Sequence, residues 1–289
     1  MTIRNTARLL AVLSVIAMLA ACGSTKPKDG PPRSGSGSMS RLPGDAVPRP
    51  EAKSRYGNGP NYEVFGKHYT VMPTASGYHE RGVASWYGKK FHGNLTSNRE
   101  VYDMYQMTAA HKTLPLPTYV RVRNLRNNKT IVVRVNDRGP FVHNRIIDLS
   151  YAAAMKLDMV GTGTSLVEVE AITFGDPPRN RPQDRPPRQT STPAPKVVTP
   201  APRPAAPVRS DPNQIFVQIG AFGSRENATR RLALLRSGGI GAAFVLEDTS
   251  VQPALFRVRM GPIQGVDQYD MLVEELAKLD INDPIIVTD

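Results

Sequence analysis

The chain has 289 residues, 37 basic and 25 acidic side chains, a net charge of +12 and a single cysteine. The basic excess is diffuse, with balances of +5, +6, +4 and −3 over residues 1–80, 81–175, 176–213 and 214–289. That spread lacks the concentrated basic face of a nucleic-acid binder, and one cysteine excludes an internal disulfide.

Arg4 and Arg8 precede an apolar run of 13 residues, 9–21. A membrane-spanning helix needs about 20 apolar residues, so the run reads as the core of a signal peptide over 1–21. It ends Leu19-Ala20-Ala21-Cys22, which resembles a bacterial lipobox. The competing reading is an ordinary signal peptide with a chance cysteine. The resemblance implies lipidation at Cys22, and Gly23, rather than aspartate, after it implies the outer membrane. Residues 22–60 carry no periodicity and are expected to form a flexible tether, with a span of roughly 30–37 Å.

Residues 61–175 read as a mostly-β domain of about six short strands and one short helix. In TYVRVRNL, Val120 and Val122 alternate with Arg121 and Arg123, the pattern of a half-buried strand. Asn127 and Asn128 then stand where a tight hairpin turn needs positive φ. Ile131, Val133 and Val135 mark the returning strand. Ser150 is a cap for a short helix carrying three alanines, and 166–172 alternates again.

Three groups able to move protons lie in this domain: Glu100, His111 and Asp137. Asp137 ends a strand before Arg138-Gly139-Pro140-Phe141, a sharp turn. On spacing alone it reads as a turn aspartate bonded to its own backbone, Glu100 as solvated surface, and His111 as structural. Trp86, Tyr87, Tyr102 and Phe141 are rings on which a ligand could stack, although Trp86 and Tyr87 alternate along a strand, which places at least one of them in the core. Asp103 and Asp148 read as structural supports. The five histidines show no metal-ligand spacing, no glycine-rich phosphate loop opens a helix, and Ser85 and Ser150 lack a nucleophile-elbow context.

The strings TSNREVYDM, TAAHKTLPLP and NDRGPF resemble those of the rare lipoprotein A family, septal lytic transglycosylases with a six-stranded double-psi β-barrel. The resemblance covers Cys22, about 64–174 and the last 76 residues discussed below. It implies Asp137 as the catalytic acid/base, with Glu100 and His111 as partners. Trp86, Tyr87, Tyr102, Arg138 and Phe141 are the candidate substrate contacts. One departure is Arg99, where the family pattern has glycine, a residue that permits positive φ.

Residues 176–213 hold 12 of the 26 prolines and cannot bury a core; they are expected to be an extended linker. Residues 214–289 read as strand, helix, strand, strand, helix, strand, an α+β ferredoxin-like (βαββαβ) order. The first helix is capped by Ser224 and stopped by Gly238-Gly239. The second carries Tyr269, Leu272, Val273, Leu276 and Leu279 at helical spacing. FVQIGAF and FRVRMGPI resemble the SPOR family, which implies binding to septal glycan stripped of stem peptides. By alternation Gln218, Arg257 and Arg259 share one sheet face, the candidate binding face.

Together these resemblances imply a monomeric lytic transglycosylase without cofactor or metal. It would be anchored to the outer membrane facing the periplasm, recruited to the division septum, and active on the MurNAc–GlcNAc bond with 1,6-anhydro product. The alternative is a non-enzymatic, expansin-like wall-binding septal lipoprotein, since barrels of this kind also occur in expansins.

Overall fold

The structure, a computed structural model, describes residues 29–32, 42–142, 144–174 and 214–288. The expected signal peptide, Cys22 and the proline-rich segment 176–213 lie outside the described residues.

Six strands close into a barrel: β3 (His79–Tyr87), β4 (Thr108–His111), β5 (Thr118–Asn124), β6 (Thr130–Asp137), β7 (Arg145–Ser150) and β8 (Ser165–Ile172). Their order is β3-β7-β4-β6-β5-β8. β3 runs parallel to β7 and β4 parallel to β6, and the other neighbours are antiparallel. Val120, Val122, Ile131, Val133, Val135, Ile147, Leu149, Val167 and Val169 fill the barrel core. Each such side chain contributes about 1.5–3 kcal/mol on burial. The ion pairs outside, such as Arg121 with Glu170, are worth roughly 0–1 kcal/mol each, so the core holds the barrel. Helix α1 (Tyr151–Lys156) buries Ala152, Ala153 and Ala154, and the Ser150 hydroxyl accepts from the Ala153 N–H as its cap.

The β5–β6 turn differs from the expected two-residue hairpin. Of the asparagine pair only Asn128 has positive φ, at 57°, because the Asn124 N–H reaches the Lys129 carbonyl at 2.9 Å and closes a longer loop. A second hairpin, β1 (Asn61–Val64) and β2 (Lys67–Thr70), stands outside the barrel. It turns at Phe65 and Gly66, with φ of 52° and 74°, the double positive φ of a type I′ turn.

Residues 42–60 do not behave as the flexible tether expected of them. The Ala46 N–H donates to the Val132 carbonyl at 3.0 Å and the Ser54 N–H to the Leu116 carbonyl at 2.8 Å. The Asn58 amide donates to the Leu116 carbonyl at 2.7 Å and its oxygen accepts from the Leu116 N–H at 2.7 Å. An extended strap needs no apolar periodicity when the barrel wall supplies its hydrogen bonds, so composition alone reads it as coil.

The C-terminal domain has the expected order: β9 (Ile215–Phe222), α2 (Arg225–Ser237), β10 (Ala243–Asp248), β11 (Leu255–Met260), α3 (Val266–Ala277) and β12 (Ile285–Thr288). The sheet order is β10-β11-β9-β12, antiparallel throughout. Ser224 caps α2 by accepting from the Asn227 N–H, and Gly238 ends it. Tyr269, Leu272, Val273 and Leu276 are the buried face of α3. With Val217, Ala228, Leu235, Val258 and Ile286 they make this domain's core.

Candidate active site

The site lies where β4 and β6 finish. The connection over 88–107 leaves and rejoins the barrel at the opposite end, yet Ser97 within it reaches Asp137, the last residue of β6. This crossing is what assembles the cleft. Asp137 Oδ1 accepts three hydrogen bonds: the Ser97 N–H at 2.8 Å, the Ser97 hydroxyl at 2.6 Å and the Arg138 N–H at 2.7 Å. Its Oδ2 has no hydrogen-bond partner among the described residues.

The next residue along the same loop, Asn98, donates to Glu100 Oε1 at 2.8 Å. Asn136 Nδ2 donates to Glu100 Oε2 at 2.8 Å. One guanidinium nitrogen of Arg134 lies 2.9 and 2.7 Å from the two Glu100 oxygens. Burial opposes the charge on Glu100, but the bonds from Arg134, Asn136 and Asn98 outweigh it and hold the carboxyl below its ordinary range. Arg134 also binds Glu51 of the strap, at 2.8 and 3.2 Å. That contact, chiefly, brings the Glu51 carboxyl down to about 2.

Arg138 turns away from Asp137. Its guanidinium donates to the carbonyls of Gly57 at 2.9 Å, His111 at 3.1 Å and Leu114 at 2.6 Å. It therefore locks strap, β4 end and turn together, rather than pairing with the carboxylate beside it in sequence. Arg99 keeps the turn that glycine would allow: its φ is 71°, and its guanidinium sits 5.3 Å from the Tyr56 ring centre.

His111 is brought to the same barrel end, but its ring is used elsewhere. Nδ1 accepts from the Thr113 and Leu114 N–H groups at 3.1 and 3.0 Å, which places the proton on Nε2. Nε2 then donates to the Tyr78 hydroxyl at 2.7 Å, and Tyr78 donates to Glu80 at 2.6 Å. Burial, reinforced by the charges of Arg138 and Lys112, lowers the imidazole to about 3. The ring is neutral and both its nitrogens are occupied. It is an anchor for the 111–114 turn, not a group facing the carboxylates.

The aromatic candidates separate. Tyr87 and Tyr102 are buried and stacked on each other at 4.1 Å, and the Tyr102 hydroxyl donates to the Tyr87 carbonyl at 2.6 Å. They are core residues, which corrects the expectation that they contact sugar. Trp86 is half-buried against Tyr151, 5.6 Å away. Of these four rings, Phe141 is the one that lines the cleft among the described residues. A cavity of about 320 Å³ is bounded by Gly57, Gly59, Tyr62, Val64, Ser97, Arg138 and Phe141.

Asp103 takes the Tyr105 N–H at 3.0 Å, a local turn bond. Asp148 accepts from the Ser85 hydroxyl, and burial pushes its carboxyl up, against the effect of that bond. Ala110 pairs with Asp137 on one side and with Asp148 on the other. Among the described residues no cluster of His, Cys, Asp or Glu is placed to hold a metal ion.

On the C-terminal sheet, Val258 and Met260 are buried toward the helices. Arg257 lies on the other face, 2.6 Å from Asp248 and 3.5 Å from the Gln218 amide oxygen. Gln218 pairs with Arg259 across β9 and β11.

Sequence reading missed Arg134, Asn136, Ser97, Asn98, Glu51 and the β1–β2 hairpin. A signal existed for two of them. Arg134 and Asn136 occupy alternate positions of β6, on either side of the buried Val135, and so share a face.

Residues 79–169 match a family model described as lytic transglycolase, and 211–288 match the SPOR domain. The endolytic peptidoglycan transglycosylase RlpA of Pseudomonas aeruginosa UCBPP-PA14 is 40% identical over 283 residues, covering 86% of this chain and 81% of that one. The protein of the same name from Vibrio cholerae is 56% identical over 141 residues, 49% of this chain and 53% of that one. A solved RlpA SPOR domain from Pseudomonas aeruginosa, 26% identical, covers 25% of this chain and 96% of that one at a TM-score of 0.24. With a relative aligned over most of both lengths and both domain types matched in order, the chain belongs to the RlpA family.

Proposed function

We propose that this chain is a lytic transglycosylase that cuts the β-1,4 MurNAc–GlcNAc bond of peptidoglycan, with Asp137 as acid/base and Glu100 as the fixed negative charge. The observation that carries this reading is the loop over 96–100, which binds Asp137 through Ser97 and Glu100 through Asn98. Lytic activity follows from membership of the RlpA family; the residue roles and the substrate preference belong to the proposal.

Asp137 Oδ2 delivers a proton to the bridging oxygen as the bond from the sugar C1 breaks. Glu100, kept ionised by Arg134 and Asn136, stabilises the positive charge that develops at C1. The 6-hydroxyl of the same sugar then attacks C1, and its proton returns to Asp137. A 1,6-anhydro ring forms and no water is consumed, so a second carboxylate to activate water, as a hydrolase needs, is not required. Arg138 and the His111–Tyr78–Glu80 chain position the walls of the cleft.

Asp148 supports a second assignment of the acid. It is the carboxyl that burial pushes up, the property wanted in a proton donor. It also lies across Ala110 from Asp137, since Ala110 pairs with both residues. Comparing Asp137→Asn with Asp148→Asn on the same substrate separates the two: the true donor loses turnover at every pH.

The test of activity is the soluble chain from residue 23 incubated with amidase-treated sacculi. Anhydro-muropeptides by mass spectrometry support transglycosylation. Plain reducing ends would mean hydrolysis, and binding without release would return the expansin-like alternative. We further propose that Cys22 carries the lipid and that Gln218, Arg257 and Arg259 recruit the chain to denuded septal glycan. Deleting 214–289 should leave cleavage measurable and disperse septal fluorescence; retained mid-cell signal would overturn the recruitment role.

A further inference from the structure

The β1–β2 hairpin presents a cluster of rings that no part of the chemistry above uses. Tyr62 and Tyr69 are cross-strand partners, stacked at 5.1 Å with 19° between their planes. Phe141, from the turn after Asp137, packs against three of the hairpin's rings: Tyr69 at 5.6 Å, Tyr62 at 6.3 Å and Phe65 at 6.5 Å. The Tyr62 hydroxyl donates to the Lys112 carbonyl at 2.7 Å, which ties the hairpin to the barrel beside β4.

Phe65 is the anomaly. It is 92% exposed and has a φ of 52°, a conformation costly for a bulky side chain. A large apolar ring held in a strained turn and left mostly in water contributes little to the hairpin's own stability. A polar residue such as asparagine would suit that turn better. The ring lies at the open end of a continuous aromatic surface. That surface begins in the cavity shared by Tyr62, Phe141 and Ser97, and Ser97 is the residue bonded to Asp137.

We propose that Phe65, Tyr62 and Phe141 form a saccharide-binding wall that continues the cleft away from the cut bond, with hexopyranose rings of the glycan seated on its aromatic faces. The C–H face of a pyranose is apolar and its rim is hydroxylated, so it suits an exposed ring flanked by hydrogen-bonding groups. This rests on the transglycosylase reading for the identity of the sugar, and it assigns the hairpin the role of holding the strand in register across the acid.

Two measurements on the full chain from residue 23 test it, with a soluble peptide-free GlcNAc–MurNAc oligosaccharide as probe. Phe65→Ala is expected to raise KM about tenfold with kcat within about twofold, because the lost contact exists equally before and during reaction. Phe65→Trp adds an indole at the wall, and its emission is expected to shift saturably with the oligosaccharide, including in the Asp137→Asn background where turnover is slowed. Normal turnover with unchanged KM and no emission shift would overturn the wall and leave the catalytic reading standing. An emission shift in Phe65→Trp, alongside a wild-type chain that cleaves nothing, would keep the wall and sink the catalytic reading. Neither turnover nor shift would overturn both.

Discussion

Glu100 and His111 are brought to the same barrel end, and the fold treats them in opposite ways. Glu100 is partly exposed and receives bonds from three side chains, one of them a guanidinium, so its charged form is favoured. His111 is 3% exposed and accepts two backbone N–H bonds on one nitrogen, so its neutral form is favoured. The difference teaches that a motif's residue types do not fix their roles. Burial and the donors around each group decide which can carry charge in the reaction and which can only hold a turn.

The sharpest way to break this contrast is to remove the third member. Asp137→Asn is expected to lower kcat by roughly 10²–10⁴, with the fold intact because the amide oxygen can still take the Ser97 and Arg138 N–H bonds. Turnover within tenfold of wild type, measured on amidase-treated sacculi, would remove Asp137 from the acid role.

A smaller loss is expected from Arg134→Met, about ten- to a hundredfold in kcat. Glu100 would lose the partner that keeps its carboxyl low, so its proton would be retained to higher pH. The acid limb of the pH–rate profile should therefore move upward. A limb that stays put would show that Glu100 is not the group whose ionisation the reaction needs. Glu51→Gln tests the strap behind it. Arg134 would then be held by Glu100 alone, and the shift should run in the same direction with smaller size.

His111 should reveal itself in stability instead. Its proton affinity is lowered to about 3 in the folded state, against an ordinary value near 6.5 in the unfolded chain. Between those limits the unfolded chain binds the extra proton, so stability rises with pH. The contribution is complete above about pH 6.5 and fades as the pH falls toward 3. His111→Ala should cost about 1–3 kcal/mol by stranding two buried N–H groups. His111→Asn can accept the same bonds, should recover part of that loss, and should flatten the slope between pH 4 and 6.5 in denaturant titrations. An unchanged slope would contradict the neutral-anchor role.

Much of the scaffold was legible in the residues because alternation reports directly on burial. Val120, Val122, Ile131, Val133 and Val135 face inward as their spacing says. The cap at Ser150 and the α2 stop at Gly238 are local chemistry and were equally readable. The site was legible only as a set of candidates. Ser97 meets Asp137 across 40 residues of chain and Glu51 meets Arg134 across 83, contacts created by a loop crossing and a strap that leave no periodic trace. Tyr87 and Tyr102 failed as sugar contacts for the same reason: their mutual stacking is tertiary, and aromatic residues look alike in sequence whether they face a groove or a core.

The smallest predicted effect concerns the residue that departs from the family pattern. Arg99 occupies the left-handed region, where a side chain costs roughly 1–2 kcal/mol. Its N–H bonds the Thr96 carbonyl at 2.9 Å, which fixes the turn that places Asn98 against Glu100. Arg99→Ala and Arg99→Gly both lose the contact with Tyr56, but only alanine keeps the strain. Glycine also gives the unfolded chain more freedom, a cost of about 0.4–1 kcal/mol, which is smaller than the strain it relieves. Arg99→Gly should therefore be the more stable of the two by about 1 kcal/mol in chemical denaturation, with kcat alike in both. If alanine proved equal or better, the turn would not be held at positive φ in solution, and the geometry that sets Glu100 beside Asn98 would have to arise from the Arg134 side of the network alone.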